Sequence, residues 1–360
     1  MKAVLAAAAV RTALGADAHA VAARLLRGER AFSALPPGYA CRVAARIPGE
    51  PAPSRQARFL LRMGAFALEA GRDAMAGVQC APERLGLYAG MGGLRTQWDA
   101  LLPALRDQRD DAQGAWERGL SQLHPFWMLQ HLSNNAHALL SAELSAQGDG
   151  ATFGGPTGGA QALTAALRAL ELGLVDAALV VAYDSLLEPE MLIDLTARGV
   201  IGHRSGERPA YDAECGGAVP GEAAAALVLQ RGERGVLLSA ATRSSDGRDE
   251  AQLFARVAGV LGRAQVIDGP GRAWPALDEG TLLCCTSASL GLVGAASAPL
   301  QAAIWAELLR AGQAPPIAGL KRVAEGALQP LREAQPARAA LCLSGGAPGQ
   351  AAAVLVEVQP

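Results

Sequence analysis

Short, nearly continuous apolar runs alternate with longer amphipathic segments along most of the chain. Runs of Ala, Val and Leu bounded by turn residues are typical of strands buried on both faces, whereas apolar residues spaced three and four apart predict helices. The predicted strands are residues 3–10, 85–91, 177–183, 223–229, 235–241, 265–268, 281–285, 339–343 and 351–358. The predicted helices are residues 17–27, 54–76, 124–147, 160–172, 250–261 and 292–311. Residues 95–120 are polar and irregular.

Alternation of strands and helices predicts a layered α/β core with helices on both faces of the sheet. The pattern occurs once over residues 1–232 and again, in shorter form, over residues 233–360. We therefore expect two pseudo-duplicated halves, the first of which carries an insertion at about residues 92–150.

Composition excludes several classes of function. The chain has 360 residues, of which 51% are hydrophobic, 18% charged and only 4% aromatic, with a net charge of −2. No basic face, charge run or set of stacking aromatics favours a nucleic-acid partner. The six cysteines are scattered and none forms a Cys-x-x-Cys pair, so neither a disulfide framework nor a metal site is predicted.

The first ten residues, MKAVLAAAAV, resemble the apolar part of a signal peptide. They lack a convincing length and cleavage context, so we interpret them as a buried first strand. No apolar run approaches the 18 residues that a membrane-spanning helix needs. The expected location is therefore the cytoplasm.

The most informative motif lies at residues 152–159, which read TFGGPTGG and lead into the predicted helix 160–172. A strand that passes through a tight glycine-rich elbow into a helix N-terminus suits a nucleophile. The helix dipole lowers the pKa of a thiol there, and backbone N–H groups can hold an oxyanion. In this chain the apex consists of Gly154, Gly155 and Pro156, which offer no reactive side chain.

Several ordered motifs resemble those of the β-ketoacyl-ACP synthases, the condensing enzymes of the thiolase fold. They are TALG at residues 12–15, RPAYDAECGGAVPGEAAA at 208–225, GAA at 294–296, LRAGQAPP at 309–316 and a glycine-rich turn at 344–350. Each motif alone is weak, but they follow the family's order over nearly the whole chain. The resemblance implies a thiolase-like α/β fold with five layers, α-β-α-β-α.

The same resemblance implies that the reactive residues are missing. Gly155 stands where the family has its nucleophilic Cys, Pro270 and Gly291 stand where it has two His residues, and Thr286 replaces a Lys. Ala218 stands at the family's phenylalanine gate. Neither Gly nor Pro offers a side-chain donor, acceptor or proton, so we expect no condensation by the family's mechanism. No cofactor is implied.

A role without catalysis exists in this family. Chain-length-factor subunits occur in type II polyketide and aryl-polyene systems, which are related to fatty acid synthases. They lack the Cys and pair with an active ketosynthase, to which acyl carrier protein delivers the substrate. The resemblance therefore implies a heterodimer in which this chain is silent and shapes the product tunnel. Phe126, Trp127 and Met128 are candidates for capping that tunnel or for packing at the interface. Those subunits often carry Gln where this chain has Gly155.

Two alternatives remain open. The chain could be a self-sufficient acyltransferase or hydrolase with a relocated nucleophile, for which Cys215 is the candidate, although no His accompanies it in the sequence. It could also be a homodimer that binds acyl carrier protein without catalysis. The five His residues all lie outside the family's His positions.

Overall fold

The structure, a computed structural model, describes most of the chain. The described residues are 2–93, 98, 100–102, 117, 121, 123–245, 250–269, 280–325, 329–345 and 348–359. The strands are β1 Ala3–Arg11, β2 Ser33–Ala34, β3 Val43–Ala44, β4 Leu85–Met91, β5 Gly150–Gly154, β6 Ala177–Ser185, β7 Glu222–Gln230, β8 Gly235–Ser244, β9 Val266–Asp268, β10 Leu282–Cys284, β11 Gln313–Ala314, β12 Gln335–Pro336, β13 Ala339–Ser344 and β14 Gln350–Gln359. The α-helices are α1 Ala18–Leu26, α2 Arg62–Met75, α3 Trp127–Gln130, α4 Asn135–Leu144, α5 Gly158–Glu171, α6 Pro189–Ala197, α7 Glu250–Leu261, α8 Ser287–Leu290 and α9 Ser297–Arg310.

Ten strands join in the order β10-β9-β13-β14-β8-β1-β7-β6-β4-β5. In the half that runs from β1 to β5, β7 is antiparallel to both β1 and β6, while β4 is parallel to β6 and β5. The other half repeats this arrangement, because β14 is antiparallel to β8 and β13 while β9 is parallel to β13 and β10. This match supports the predicted pseudo-duplication. The boundary at residue 232 stays a prediction.

Within the described sheet, the two halves meet where β1 pairs with β8. That junction consists of the pairs Ala3↔Leu238 and Val4↔Leu237. A junction this short lets the halves turn toward each other, so that both can pack against the same helices. Helix α5 contacts β4, β6 and β8, and α9 contacts β7, β13 and β14.

Alternate side chains of each strand enter different cores, as the pleat of a strand requires. On β7, Leu227 lies in a core shared with α5 and α9, whereas Val228 faces a second core with α2 and α4. On β14, Val354 enters the shared core and Leu355 faces a third core with α7. Helices therefore lie outside each half and between them, which confirms the predicted five-layer α-β-α-β-α arrangement.

Small residues allow helix α5 to approach the sheet closely. A Cβ atom added at Gly159 would lie 2.8 Å from the Cβ of Ala182 and closer still to the carbonyl oxygen of Ala295. A Cβ atom added at Gly90 of β4 would overlap the backbone of Gly159. The N-terminus of α5 can therefore reach its position only because both residues are glycine.

The prediction of one continuous helix over residues 124–147 is wrong. Residues 124–147 form two short helices, α3 and α4, with a turn between them. The side-chain amide of Asn135 donates to the carbonyl oxygen of Leu129 at 2.7 Å, which occupies an acceptor that a continuous helix would use. Ser133 and Asn134 favour such turns because their side chains compete with the helical hydrogen bonds.

Two other predicted helices begin later than expected. Residues 54–76 comprise a 3₁₀ turn at Ala57–Phe59 and helix α2, separated by an extended backbone at Leu60 and Leu61. Residues 292–311 comprise a 3₁₀ turn at Gly294–Ala296 and helix α9. Helix α6 was not predicted. The predicted irregular segment 95–120 lies largely outside the described residues.

Within the part of the chain that the structure describes, no helix is long and apolar enough to cross a membrane. The same residues contain no group of three or more His, Cys, Asp or Glu side chains that could hold a metal ion.

We expect Gly159→Ala to lower the free energy of unfolding by about 1–3 kcal/mol, because the added methyl group overpacks the contact between α5 and the sheet. Gly259→Ala is the matched control, since Gly259 lies in helix α7 with no described atom near its added Cβ. That change should raise stability by up to about 1 kcal/mol, the helix preference of Ala over Gly. Chemical denaturation of both variants tests this; equal effects would contradict the close approach.

Candidate functional site

The elbow predicted from residues 152–159 is present between β5 and α5. Gly155 has a φ of +101°, its N–H donates to the carbonyl of Met91 at 2.9 Å, and its own carbonyl accepts from Gly158 at 2.9 Å. No described atom lies within 4 Å of a Cβ added at Gly155. The elbow therefore has room for a side chain, but the residue there provides none.

Gly291 follows the short helix α8 in a tightly enclosed position. Its φ is +76°, and an added Cβ would lie 2.7 Å from the Cβ of Ala45 and 3.2 Å from the carbonyl oxygen of Val219. The backbone on either side is held as well, because the N–H of Leu292 donates to Val219 at 2.8 Å and the N–H of Gly221 donates to Leu292 at 2.8 Å. A side chain at position 291 would force these segments apart and strain the backbone.

Thr286 forms hydrogen bonds to Asp268, a buried acid that was not predicted from the sequence. Its backbone N–H donates to Oδ1 of Asp268 at 2.9 Å, and its hydroxyl donates to Oδ2 at 2.5 Å. The same Oδ2 accepts from the indole N–H of Trp305 at 2.7 Å and from Nε2 of Gln301 at 3.3 Å. Asp268 and Thr286 are both buried. Four donors thus converge on one carboxyl group at the end of β9.

Burial raises the pKa of Asp268, although the hydrogen bonds from Thr286, Trp305 and Gln301 oppose the rise. No cation among the described residues forms an ion pair with it. The hydrogen-bond donors are therefore the groups that stabilise the charged form of this carboxyl group, and burial disfavours that form. The clue available from sequence was an acid at the carboxyl end of an apolar strand, the position where functional side chains of α/β sheets often lie.

Thr286 and Gly291 line one small cavity, together with Gly269, Gln301 and the turn that begins at Ser344. Its volume is about 40 Å³. A single water needs roughly 10–15 Å³, so this space suits a few water molecules. The Oε1 atom of Gln301 is buried without a described hydrogen-bond partner, which is consistent with a bound water.

The elbow approaches the same region from the other side. Thr157, two residues after Gly155, donates from its hydroxyl to Oε1 of Gln350 at 3.2 Å, at the end of the glycine-rich turn. Gly155 itself does not line the small cavity. Pro270 lies outside the described residues, but the preceding Gly269 lines the cavity. Of the positions singled out by the resemblance, Thr286 and Gly291 therefore line one cavity.

Ala218 and Cys215 lie in the loop before β7. Ala218 donates its backbone N–H to the carbonyl of Val200 at 2.9 Å and does not line the small cavity. Cys215 is exposed, and no hydrogen bond or ion pair of its thiol is found among the described residues. Among the described residues, no base is hydrogen-bonded to this thiol, as the activation of a catalytic thiol requires.

The thiols close to Asp268 are poor nucleophiles. Cys284 and Cys342 flank Asp268 on the neighbouring strands, and burial raises the pKa of both thiols well above the usual range. Burial also raises the pKa of Cys285 to about 12. Because the thiolate is the reactive form, these cysteines act as small core residues.

The three residues predicted to cap a tunnel or pack at an interface have different surroundings. Phe126 packs edge-on against Phe59, with ring centroids 5.0 Å apart. Trp127 stacks on His131 at 4.1 Å. Met128 is 70% exposed. None of the three lines the small cavity or a larger one at the carboxyl ends of β4 and β6, so their role stays a prediction.

A second buried acid, Asp184, ties the end of β6 to the turn before α9. Its Oδ2 accepts from the N–H of Ala295 at 3.0 Å, and Cβ atoms added at Gly92 or Gly294 would overlap its carboxyl group. The adjacent Ser185 hydrogen-bonds to Glu222 at 3.3 Å. Sequence reasoning missed Asp184, because its contacts are with backbone far away in the chain.

Comparison with known proteins identifies relatives of this fold. Residues 3–235 match the family model described as the N-terminal domain of beta-ketoacyl synthase. A beta-ketoacyl synthase from Burkholderia phymatum STM815 is similar over all of both chains, with 18% identity and a TM-score of 0.81. The ishigamide ketosynthase/chain length factor is similar over all of this chain and 99% of its own, with 17% identity and a TM-score of 0.82. No curated protein matches in a sequence comparison.

We expect Asp268→Asn to change how stability depends on pH. Because its pKa is raised on folding, the folded chain holds this proton more tightly than the unfolded chain does. Wild type should therefore lose stability relative to the variant as pH rises from about 4, the ordinary pKa of Asp, through the raised pKa. The relative loss should be about 1.4 kcal/mol for each unit by which the pKa is raised.

Asp212→Asn is a control with the opposite sign. Burial acts to raise the pKa of Asp212, but backbone N–H groups of Glu214, Lys321 and Arg322 outweigh burial and lower it. Wild type should therefore gain stability relative to this variant as pH rises through the acid range. Urea denaturation from about pH 2 to 8 measures both differences, because the Asp212 change lies below the ordinary pKa of Asp and the Asp268 change lies above it. A flat difference for Asp268→Asn would show that the buried carboxyl group is not the source of the pH dependence.

Proposed function

The chain belongs to the β-ketoacyl synthase family, and we propose that it is a member without condensing activity that pairs with an active ketosynthase. In this role it resembles a chain length factor, which shapes the acyl or polyketide tunnel of its partner. The proposal adds to the family assignment a statement about chemistry and one about association. Each rests on different residues.

The observation that carries the proposal is the environment of Gly291. Losing a catalytic side chain by one substitution is easily reversed, but here the backbone has a positive φ and the Cβ of Ala45 occupies the space that a side chain would need. The position is therefore adapted to glycine. This is what we expect of a chain in which selection no longer maintains the family's second His.

The other reactive positions support the same interpretation. Gly155 supplies no sulfur at an elbow that has room for one. The hydroxyl and backbone N–H of Thr286 are both bound to Asp268, so neither is free to act on a substrate.

Similarity of fold does not decide between a synthase and a chain length factor. The chain resembles a solved example described by each of these terms to nearly the same degree. The side chains favour the second, because both the nucleophile and the space for a His are missing. A self-sufficient enzyme that uses Cys215 is less well supported, since that thiol is exposed and has no activating neighbour among the described residues.

An exposed apolar segment supports association. Met128, Leu129 and Leu132 are 70%, 44% and 48% exposed and lie close together in sequence around α3. Strand β5 lies at the edge of the ten-stranded sheet, with its outer side unpaired among the described strands. Helix α4 packs beside it, where His137 and Thr152 are joined by a hydrogen bond. Exposed apolar side chains and an open sheet edge are each typical of a surface that a partner covers.

We expect the purified chain to form no acyl-enzyme and to leave malonyl-carrier protein undecarboxylated, because Gly155 provides no thiolate at the elbow and Gly291 provides no donor for the enolate oxygen. Intact mass measured after incubation with an acyl-carrier thioester tests the first point. Gly155→Cys should still fail to condense, since each missing donor costs about 100-fold or more in rate.

Cys215→Ala is the control for a relocated nucleophile. If wild type gains the mass of an acyl group and Cys215→Ala does not, the chain is an acyl-transferring enzyme and the proposal is wrong. If both proteins remain unmodified, that alternative is excluded.

We expect Met128→Glu to reduce co-purification with the active ketosynthase by about tenfold or more, because a charge buried without a partner at an interface is costly. Val260→Glu is the control, since Val260 is 56% exposed but lies on α7, outside the half that contains β5. Co-expression with the candidate synthase, affinity capture and size measurement give the result. A stable homodimer that captures no synthase would favour the carrier-binding alternative.

A further inference from the structure

Arginines are concentrated in the segment that leads into helix α2. Residues 42–62 contain five arginines and one acid, Glu50, and no Lys or Asp. Residues 124–137, which include α3, contain no Asp, Glu, Lys or Arg. The chain as a whole has a net charge of −2, so the positive charge of residues 42–62 is a local feature.

These two segments are in contact. The 3₁₀ turn Ala57–Phe59 packs against α3, and the side-chain amide of Gln130 donates to the backbone carbonyl of Arg58 at 3.0 Å. The guanidinium of Arg58 lies over the ring of Phe126, 5.7 Å from its centroid. Arg55, just before the turn, is exposed. The positive charge therefore lies directly beside α3.

A third arginine, Arg46, lies on the same side of the molecule. It is exposed, and it lines the larger cavity at the carboxyl ends of β4 and β6 together with Gln130 and Leu132. Beside these arginines are the exposed apolar side chains of Met128, Leu129 and Leu132. We call the arginines at positions 46, 55 and 58 and these three apolar residues the α3 surface.

Two acids of this region are engaged by another arginine. Glu50 pairs with Arg62 at 3.0 Å, and Glu222 pairs with the same guanidinium at 2.6 Å. Arg62 also donates to the carbonyls of Ile47 and Gly49. Arg62 and its two acids therefore anchor the start of α2, and neither acid is left to balance the α3 surface.

The α3 surface keeps a net positive charge. In the part of the chain that the structure describes, no carboxylate forms an ion pair with any of its three arginines. Asp184 and Glu188 also line the larger cavity, but Asp184 is held by the backbone N–H of Ala295. One remaining carboxylate does not balance three guanidinium groups, which cannot lose their protons in proteins.

We propose that the ketosynthase covers the α3 surface with a face that has an apolar centre and carboxylate groups around it, and that the same arginines prevent two copies of this chain from pairing there. The inference rests on the proposed function for the identity of the partner. Opposite charges across an interface steer the correct partner into place, whereas like charges that face each other are costly.

Symmetry explains why the arginines act against a homodimer. A dimer of identical chains with a twofold axis brings the same patch of each copy together. Two sets of three arginines would then meet around the apolar residues of α3. The apolar residues alone would favour such a contact, so the arginines are what makes the surface select a different chain.

The test neutralises two arginines at once, in the double variant Arg46→Gln, Arg55→Gln. Both residues are exposed, and neither side chain has a described partner, so the fold should be unaffected. The double variant should bind the candidate ketosynthase about three- to tenfold more weakly at low ionic strength, because exposed charge pairs are individually weak. The purified double variant should self-associate more strongly than wild type by a similar factor, as measured by analytical ultracentrifugation.

Two comparisons separate charge from shape. Raising the ionic strength to about 1 M shortens the screening length to about 3 Å, so both differences between wild type and the double variant should disappear. Arg332→Gln is the matched control and should change neither association. Arg332 is exposed and follows Leu331, whose N–H donates to the carbonyl of Leu283 in β10, at the opposite edge of the sheet from β5.

Three results would overturn the inference. The first is a double variant that binds the ketosynthase as tightly as wild type, or that loses affinity without gaining self-association. The second is a wild-type homodimer that Met128→Glu disrupts, because the arginines would then permit self-pairing at α3. The third is a double variant that loses affinity for the purified acyl carrier protein of the same system and not for the ketosynthase.

Failure here and failure of the proposed function are distinguishable. If wild type binds no ketosynthase, the proposed function is refuted, and this inference is decided by the purified chain alone, whose self-association the double variant must increase. If wild type and the double variant bind the ketosynthase equally well, the proposed function stands and this inference is wrong.

Discussion

The close approach of helix α5 to strands β4 and β6 is the constraint on which the rest of the structure depends. Gly90 and Gly159 meet without side chains, and Ala182 and Ala295 surround the contact. Because α5 and α9 lie between the two halves of the sheet, any widening here would separate both halves from their shared core. The same contact places the N-terminus of α5 at the elbow. The geometry of a nucleophile site is thus retained for reasons of packing, independently of whether a nucleophile is present.

Where the family's reactive groups would lie, the chain has built a structural network. Asp268 accepts four hydrogen bonds from Thr286, Gln301 and Trp305, which join β9, the start of α8 and helix α9. A buried carboxyl group is costly unless its oxygens are satisfied, so this cluster holds the three elements in one arrangement. Gly291, immediately after α8, is enclosed by Ala45 and Val219. The two glycines that the resemblance places at reactive positions therefore differ, because Gly291 is enclosed and Gly155 is open.

The larger cavity lies instead in the first half, at the carboxyl ends of β4 and β6, where the engaged pair Arg62–Glu222 keeps its wall in place. The exposed segment around Met128 and the edge strand β5 belong to the same half. The exposed segment, the open sheet edge and the larger cavity therefore belong to one half of the molecule, while the other half contains the buried network around Asp268.

The sequence by itself determined most of the architecture. Strand and helix periodicity depends on nearest neighbours, so β1, β4, α5 and α7 were predicted closely. The ordered motifs identified the five-layer fold. Only the tertiary structure decided the rest. Asp184 and Asp268 gain their roles from backbone and side chains more than thirty residues away or on other elements, and the break between α3 and α4 depends on Asn135. The difference between open Gly155 and enclosed Gly291 likewise cannot be read from the sequence, because it depends on which atoms of distant segments pack against each glycine.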